Sequence, residues 1–180
     1  MLDNAERAGI EEQYVSAGSS SSLRVEADKP GDADILIASG LSRATVGGAI
    51  MRLLTEYGGL PRNATETDHR LMMMALKTMS VVLDQITLRA SQMNIERPGK
   101  VALAVIAHYL DKVCRSCDGQ KYQRVKDTPS LSVKPCKSCL GVGEIALPYG
   151  EAGRRVEEYM LECVQTWRSR TARLLHGRRQ

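Results

Sequence analysis

Residues 114–143 read CRSCDGQKYQRVKDTPSLSVKPCKSCLGVG and contain four of the five cysteines of the 180-residue chain. They form two Cys-x-x-Cys pairs, Cys114 with Cys117 and Cys136 with Cys139, and 18 residues separate the pairs. Each such turn brings two thiolates to one side of a metal ion, and two turns joined by a loop that folds back complete a tetrahedral site. The spacing is typical of zinc ribbons. The stretch therefore predicts a hairpin held by one structural Zn²⁺ per chain, with these four cysteines as its ligands.

Two other roles for these cysteines are open. A thioredoxin-type redox site uses a single Cys-x-x-Cys at a strand-to-helix turn, and a catalytic zinc keeps three protein ligands and one open position. Four cysteines leave no open position, so the pattern favours a structural metal over a redox or catalytic one. His108 is an alternative ligand, but a complete set of four thiolates makes a structural role more consistent. Cys163 is expected to be a small core residue.

Composition limits the fold and the class of protein. The chain is 43% hydrophobic, has no Phe and contains eight Met, so its core must come from Leu, Ile, Val, Ala and Met. That composition favours helices. No run approaches 18 apolar residues and the acidic N-terminus lacks the apolar stretch of a secretory signal, so we expect a cytoplasmic protein with no membrane partner. No Ser/His/Asp array, Walker loop or paired-carboxylate signature indicates an enzyme.

The expected fold is mainly α, a small helical bundle with an inserted four-cysteine zinc-ribbon or zinc-knuckle hairpin. Residues 1–40 are predicted to be a flexible, acidic, Ser-rich segment. A helical body follows over 41–113, then the four-cysteine zinc finger over 114–147. Residues 148–180 are predicted to form a basic C-terminal helix that packs on the body.

Apolar periodicity predicts three helices in the body. The first begins after Ser42 and ends near residue 58. The second begins near residue 65 and runs close to 30 residues, until Pro98 stops it. The third extends from 100 to about 113 and leads directly into the finger. Residues Met72–Met74 of the second helix are expected to pack in the core, although a methionine run can also form an adaptable binding surface.

Charge is distributed unevenly along the chain. Residues 1–34 carry a balance of −5, and residues 154–180 a balance of +4. Residues 114–143 have six basic and two acidic side chains, and a zinc ion with four thiolates lowers the balance of this stretch from +4 to about +2. The remaining cations are candidate phosphate contacts. The candidate nucleic-acid-binding residues are Arg115, Lys121, Arg124, Lys126, Lys134 and Lys137 in the finger, and Arg168, Arg170 and Arg173 in the last helix.

An apolar helix, KVALAVIAHYLDKV, runs into CRSCDG, a basic loop follows, and CKSCLGVGEI closes the pattern. Over roughly residues 99–145 this arrangement resembles the late-gene antitermination proteins of lambdoid bacteriophages, the lambda Q type. The four cysteines match the family's metal ligands, and Gly141 and Gly143 match its second knuckle. The chain departs from the pattern after the first pair, where DGQK replaces a Gly-x-Gly turn, and no helix-turn-helix is assigned to the basic tail.

The resemblance implies a zinc-stabilised transcription regulator that binds promoter DNA and a paused bacterial RNA polymerase holoenzyme. Such a protein then travels with the polymerase in the cytoplasm of the host cell and makes it ignore pauses and terminators. Nascent RNA near the exit channel is a further contact that the resemblance leaves open.

Two alternatives compete with antitermination. The knuckle Cys-x-x-Cys-x-Gly-x-Gly also occurs in DnaJ-type co-chaperones, which bind unfolded clients, but those carry four copies, whereas this chain has one complete and one altered copy. The chain also lacks the HPD motif of a J-domain. The other alternative is a zinc-stabilised protein–protein adaptor with no nucleic-acid activity.

Overall fold

The computed structural model describes residues 9–20, 31–42, 45–58, 65–124 and 131–176. Within these ranges the chain is mainly helical and has a short two-stranded antiparallel sheet, which confirms the predicted class with its inserted four-cysteine hairpin. The elements in chain order are α1 Ile10–Ser19, α2 Asp32–Leu41, α3 Thr45–Gly58, α4 Glu66–Met74, α5 Met79–Gln92, α6 Pro98–Leu110, β1 Tyr122–Arg124, β2 Leu131–Pro135 and α7 Gly150–His176.

The chain divides into two compact units. Unit 1 comprises Met1–Leu88 with Glu158–Gln180, and unit 2 comprises Arg89–Glu157. Because α5 and α7 each run through a boundary, this division crosses both the helical body predicted for 41–113 and the C-terminal part predicted for 148–180. The finger predicted for 114–147 falls entirely within unit 2.

Two helices occupy much of the N-terminal segment that was predicted to be flexible. In α1, Tyr14 and Ala17 are buried, and in α2, Ile35 and Ala38 are buried. Each pair is spaced three residues apart, which places both side chains on one helix face. Helix α1 contacts α2 and α3. The prediction of flexibility is therefore wrong for α1 and α2, since apolar side chains of both helices are buried, while residues 1–8 and 21–30 lie outside the described ranges.

Trp167 of α7 is the largest fully buried side chain of unit 1. Its indole N–H donates to Ser39 Oγ at 3.0 Å, and the Tyr14 ring meets it edge-on with ring centroids 5.2 Å apart. These contacts tie α1 and α2 to α7, with a polar partner for the one donor of the indole ring. Trp167 belongs to a face of α7 on which residues at steps of three and four are buried, namely Val156, Met160, Val164, Trp167 and Thr171.

The single helix predicted from residue 65 to Pro98 is two helices, α4 and α5, bent by 84°. The break is at Thr78, whose backbone N–H and hydroxyl donate to the Glu56 carboxylate at 3.0 and 2.5 Å. Because apolar spacing of three and four residues continues across the break, periodicity alone could not reveal it. Among the described residues, no single helix is long and apolar enough to cross a membrane, and α4 with α5 reaches that length and apolarity only as this bent pair.

The methionine run at the end of α4 is buried only in part. Met73 is buried, but Met72 and Met74 are exposed, as is the neighbouring Leu71. The prediction that all of Met72–Met74 pack in the core is therefore wrong for two of the three. The bend after α4 leaves one face of this short helix without a partner within the described residues.

Helix α6 supplies most of the core of unit 2. Pro98 stands at its first position, where a missing N–H costs nothing, so the residue expected to stop one helix instead begins the next. The helix ends at Leu110, three residues before the predicted end, because Asp111 is extended. Its buried side chains are Val101, Ala102, Val105, Ile106 and Leu110.

A substitution at Gly47 tests the packing of α3 against α7. A Cβ atom there would collide with the backbone of Cys163 and lie 2.8 Å from Trp167 Cβ. Gly47→Ala should therefore lower the free energy of unfolding by about 1–3 kcal/mol through overpacking. Chemical denaturation followed by tryptophan fluorescence measures this.

Gly48→Ala is the matched control, since its Cβ atom would lie 3.4 Å from Trp167 Cδ1, an ordinary contact. Helix propensity should make this variant as stable as the parent or more stable. Equal stability of the Gly47→Ala protein would contradict the close approach of the two helices.

Candidate metal centre

Both ends of the finger are fixed to one another where α6 ends. The backbone N–H of Ile145 donates to the carbonyl of Lys112 at 2.8 Å, and Val113 pairs with Glu144 in an isolated antiparallel bridge. The ammonium of Lys112 also lies 3.3 Å from the Glu144 carboxylate. The chain therefore enters and leaves the finger through a single two-stranded link.

The four sulfur atoms of Cys114, Cys117, Cys136 and Cys139 all lie within 4.8 Å of one another, and all four side chains are buried. Cys114 Sγ is 3.9 Å from Cys136 Sγ, and Cys117 Sγ is 3.7 Å from Cys139 Sγ. A tetrahedron of sulfurs bound to zinc at about 2.3 Å has edges of roughly 3.8 Å. The predicted ligands thus form a cluster that can hold a metal ion and fits a zinc-ribbon hairpin.

The two knuckles, residues 114–121 and 136–143, have matching backbone hydrogen bonds. The N–H of Cys114 donates to the carbonyl of Gly143 at 2.9 Å, and the N–H of Cys136 donates to the carbonyl of Lys121 at 2.8 Å. Gly143 and Lys121 are each the fourth residue after the second cysteine of their own pair. Each knuckle therefore holds the first cysteine of the other through the same backbone contact.

The backbone angles of the two knuckles match as well. Three positions in each have a left-handed φ, namely the first, second and fourth residues after the second cysteine. The matching pairs are Asp118 and Leu140 at φ 47° and 53°, Gly119 and Gly141 at 75° and 85°, and Lys121 and Gly143 at 72° and 90°. The departure of DGQK from Gly-x-Gly thus changes the side chain but not the backbone, since a lysine adopts the conformation that glycine adopts in the other knuckle.

Backbone N–H groups point toward the sulfurs. Gly143 N–H donates to Cys139 Sγ at 3.2 Å. The pKa of Cys136 is lowered to about 7, mainly because the N–H of Cys139 donates to its sulfur. Burial instead raises the pKa of the Cys117 thiol to about 11. Metal binding requires thiolates, so an ion must displace protons from the cluster, and metal affinity must fall as pH falls.

His108 is not part of the cluster. One ring nitrogen, Nε2, lies 3.0 Å from the carbonyl oxygen of Ile145, and the other, Nδ1, lies 3.8 Å from a Glu157 carboxylate oxygen. Because a carbonyl only accepts, Nε2 carries the proton in this contact. His108 links α6 to the segment that leaves the finger, which agrees with the structural role predicted for it.

The cations predicted for the finger differ in their surroundings. Lys121, Lys134 and Lys137 are exposed. Arg115 is paired with the Asp111 carboxylate at 3.1 Å. Arg124 begins the predicted loop from the end of β1, but its side chain, like all of Lys126, lies outside the described part of the chain.

The three arginines predicted for the tail lie in unit 1. Arg168 forms an ion pair with Glu11 of α1, which raises the pKa of the arginine through a hydrogen bond from the guanidinium. Arg173 donates to the carbonyl of Ser169 at 3.3 Å, and Arg170 is exposed. Nucleic-acid binding by any of these finger or tail residues stays a prediction.

A contact between the knuckles was missed at the sequence level. Ser116 Oγ and Ser138 Oγ are 2.8 Å apart at the exposed side of the finger. The signal is present in the sequence, because CRSC and CKSC place serine at the same position of each pair. Aligning the two pairs as an internal repeat would have found it.

Comparison of the chain with protein-family models, curated proteins and solved structures gives no match. The functional conclusion therefore depends on the finger itself and on the resemblance that its residues carry.

The purified protein should contain one tightly bound metal ion per chain, and Cys117→Ser should lose it. An incomplete ligand set cannot satisfy a tetrahedral ion, and the finger should unfold or oxidise. Elemental analysis after gel filtration gives the metal content. Cys163→Ala should leave it unchanged, because Cys163 lies outside the cluster. A folded, metal-free parent protein would refute the site.

Proposed function

We propose that the protein is a transcription antitermination factor that acts in the cytoplasm of a bacterial host cell. It binds promoter DNA and RNA polymerase holoenzyme and promotes read-through of pauses and terminators. The observation that carries the proposal is the four-cysteine finger, continuous with apolar helix α6 and exposing three lysines, over the same residues 99–145 that resemble the lambda Q type. The proposal assigns no catalytic step to the chain.

The metal proposed is Zn²⁺ in a structural role. Four thiolates are the donor set that zinc prefers in closed sites, and two of the sulfur separations match its tetrahedral edge. Hydrogen bonds such as that from Gly143 N–H to Cys139 Sγ spread the negative charge of the thiolates. The same elemental analysis distinguishes zinc from iron or copper.

The proposed DNA contacts come from cations with no carboxylate partner among the described contacts. In the finger these are Lys121, Lys134 and Lys137, and in the tail they are Arg170 and Arg173. Arg115 and Arg168 already pair with carboxylates, so binding phosphate would require them to exchange one partner for another. The three lysines are therefore the main candidates.

Affinity for late-promoter DNA should fall steeply with salt, because each phosphate contact releases counterions. Lys121→Gln, Lys134→Gln and Lys137→Gln should each flatten the slope of log affinity against log salt by about one unit. Lys100→Gln makes the same charge change at an exposed position of α6 and should leave the slope unchanged. Fluorescence anisotropy across a salt series measures all four. A slope equal in all variants would exclude the finger as a phosphate contact.

Loading and retention make different demands on the protein. DNA contacts can load it at a promoter, but the site is left behind once elongation begins. Contacts with polymerase must then carry most of the affinity. A hairpin fixed by a metal ion suits this, because its geometry is set before binding and little conformational entropy is lost on docking.

The decisive experiment is transcription in vitro with purified holoenzyme. The template carries the late promoter bound in the salt series, followed by an intrinsic terminator. Adding the protein should raise the fraction of read-through transcript, and Cys117→Ser protein should not. Cys163→Ala protein should match the parent.

Unchanged termination with metal-loaded protein and active polymerase would refute antitermination. The protein–protein adaptor would then remain as the alternative, supported by the exposed apolar side chains of the finger. Suppression of the aggregation of an unfolded client would instead support the DnaJ-like alternative.

A further inference from the structure

The two knuckles share a backbone but differ in the side chains they expose. Where the first knuckle has Asp118 and Gln120, the second has Leu140 and Val142. Gln120 and Val142 make the same turn contact, each donating its N–H to the carbonyl of the second cysteine of its pair at 2.9 Å. Since the first knuckle adopts the same backbone with polar residues at these two positions, the fold of the second knuckle does not require apolar residues there.

The side chain of Leu140 contributes little to the stability of the fold. It is 82% exposed and has a φ of 53°, a conformation that disfavours leucine and suits asparagine or aspartate. Val142 is 63% exposed. A strained, exposed, apolar residue points to a role outside the folded chain.

Three further apolar residues, Tyr122, Val133 and Pro135, are exposed on the two strands beside the second knuckle. A Cβ atom at Gly141 would lie 3.3 Å from Pro135 Cβ, so the second knuckle lies against the end of β2. Pro135 pairs directly with Tyr122 of β1. Val133, two residues earlier on β2, is 95% exposed. We call this area the knuckle surface; it comprises Tyr122, Val133, Pro135, Leu140 and Val142.

Positive charge borders the knuckle surface. Lys121 lies across the second knuckle, with its Cγ atom 3.2 Å from where a Cβ of Gly143 would be. Residues 131–143 contain Lys134 and Lys137 and no carboxylate. The area therefore combines exposed aliphatic groups with cations.

We infer that the knuckle surface docks a protein segment that carries apolar side chains flanked by carboxylates. The lysines can contact DNA phosphates while the protein is loaded, but phosphates offer nothing to bury Leu140 and Val142, whereas a protein segment with acidic flanks matches both features. The inference rests on the proposed function in taking RNA polymerase holoenzyme as the partner that contains this segment. The finger then holds polymerase by its second knuckle.

Substitution of the two exposed apolar residues of the second knuckle by neutral polar ones tests this without disturbing the fold. Leu140→Asn removes the apolar side chain and relieves its backbone strain, and Val142→Gln installs the residue type found at Gln120. Each should retain metal and weaken the complex with purified holoenzyme by about tenfold or more, measured by biolayer interferometry. Leu161→Gln, at an exposed position of α7, is the matched control and should bind as the parent does.

Substitutions of Lys137 test the positive charge that borders the knuckle surface. Lys137→Glu should weaken holoenzyme binding more than Lys137→Gln, because it adds repulsion to an acidic segment. Affinity for duplex DNA should stay at the parental value in Leu140→Asn, since no cation is changed. Loss of DNA affinity in that variant equal to its loss of polymerase affinity would overturn the inference, because the area would then be a nucleic-acid contact.

The remaining outcomes separate this inference from the proposed function. A holoenzyme complex unaffected by Leu140→Asn and Val142→Gln overturns the inference and leaves antitermination standing. A complex that is weakened by both, without any read-through in transcription, supports the inference and refutes antitermination. No complex with the parent protein overturns both.

Discussion

Four buried sulfur atoms within 4.8 Å of one another cannot all be ionised unless a cation lies among them. The remainder of the finger depends on this constraint. Its buried cluster consists of the four cysteines, and along β2 the side chains are mostly exposed. A hairpin with so little apolar burial cannot repay the entropy of ordering its chain, so an ion held by the four cysteines would supply the stabilisation that a hydrophobic core supplies elsewhere.

The helical part of the chain depends on different interactions. In unit 1, the buried Trp167 side chain organises α1, α2 and α7 through a ring contact with Tyr14 and a hydrogen bond to Ser39. The ion pair between Glu11 and Arg168 joins α1 and α7 as well. The acidic N-terminal segment and the basic C-terminal helix thus contact each other through this ion pair. These two charges are therefore not available to bind a partner. The net charge of a sequence segment therefore overestimates the charge that its folded surface offers to a partner.

Sequence reasoning succeeded where a short-range pattern sets the structure. The spacing of the cysteines within Cys114–Gly143 predicted the cluster, and apolar periodicity predicted α3 and α6. It failed where a single long-range contact determines the local structure. The bond from Thr78 to Glu56 interrupts a periodic helix, and burial of Tyr14 and Ile35 orders α1 and α2, which lie on either side of a Ser-rich run. The sequence of each segment does not by itself indicate these contacts, because the residues contacted are distant along the chain.

The knuckles show how fold and recognition can be separated within one motif. Backbone N–H groups, left-handed turns and two exchanged hydrogen bonds build both knuckles alike, and these features place almost no demand on the side chains at Asp118, Gln120, Leu140 and Val142. Such positions are free to carry recognition because changing them costs little stability. A metal-held turn is rigid, so a side chain placed there is presented with little entropy left to lose. The apolar second knuckle is therefore the part of the finger where exposure, strain and rigidity coincide, and these are the properties expected of a small docking site on a protein that must stay bound to a moving partner.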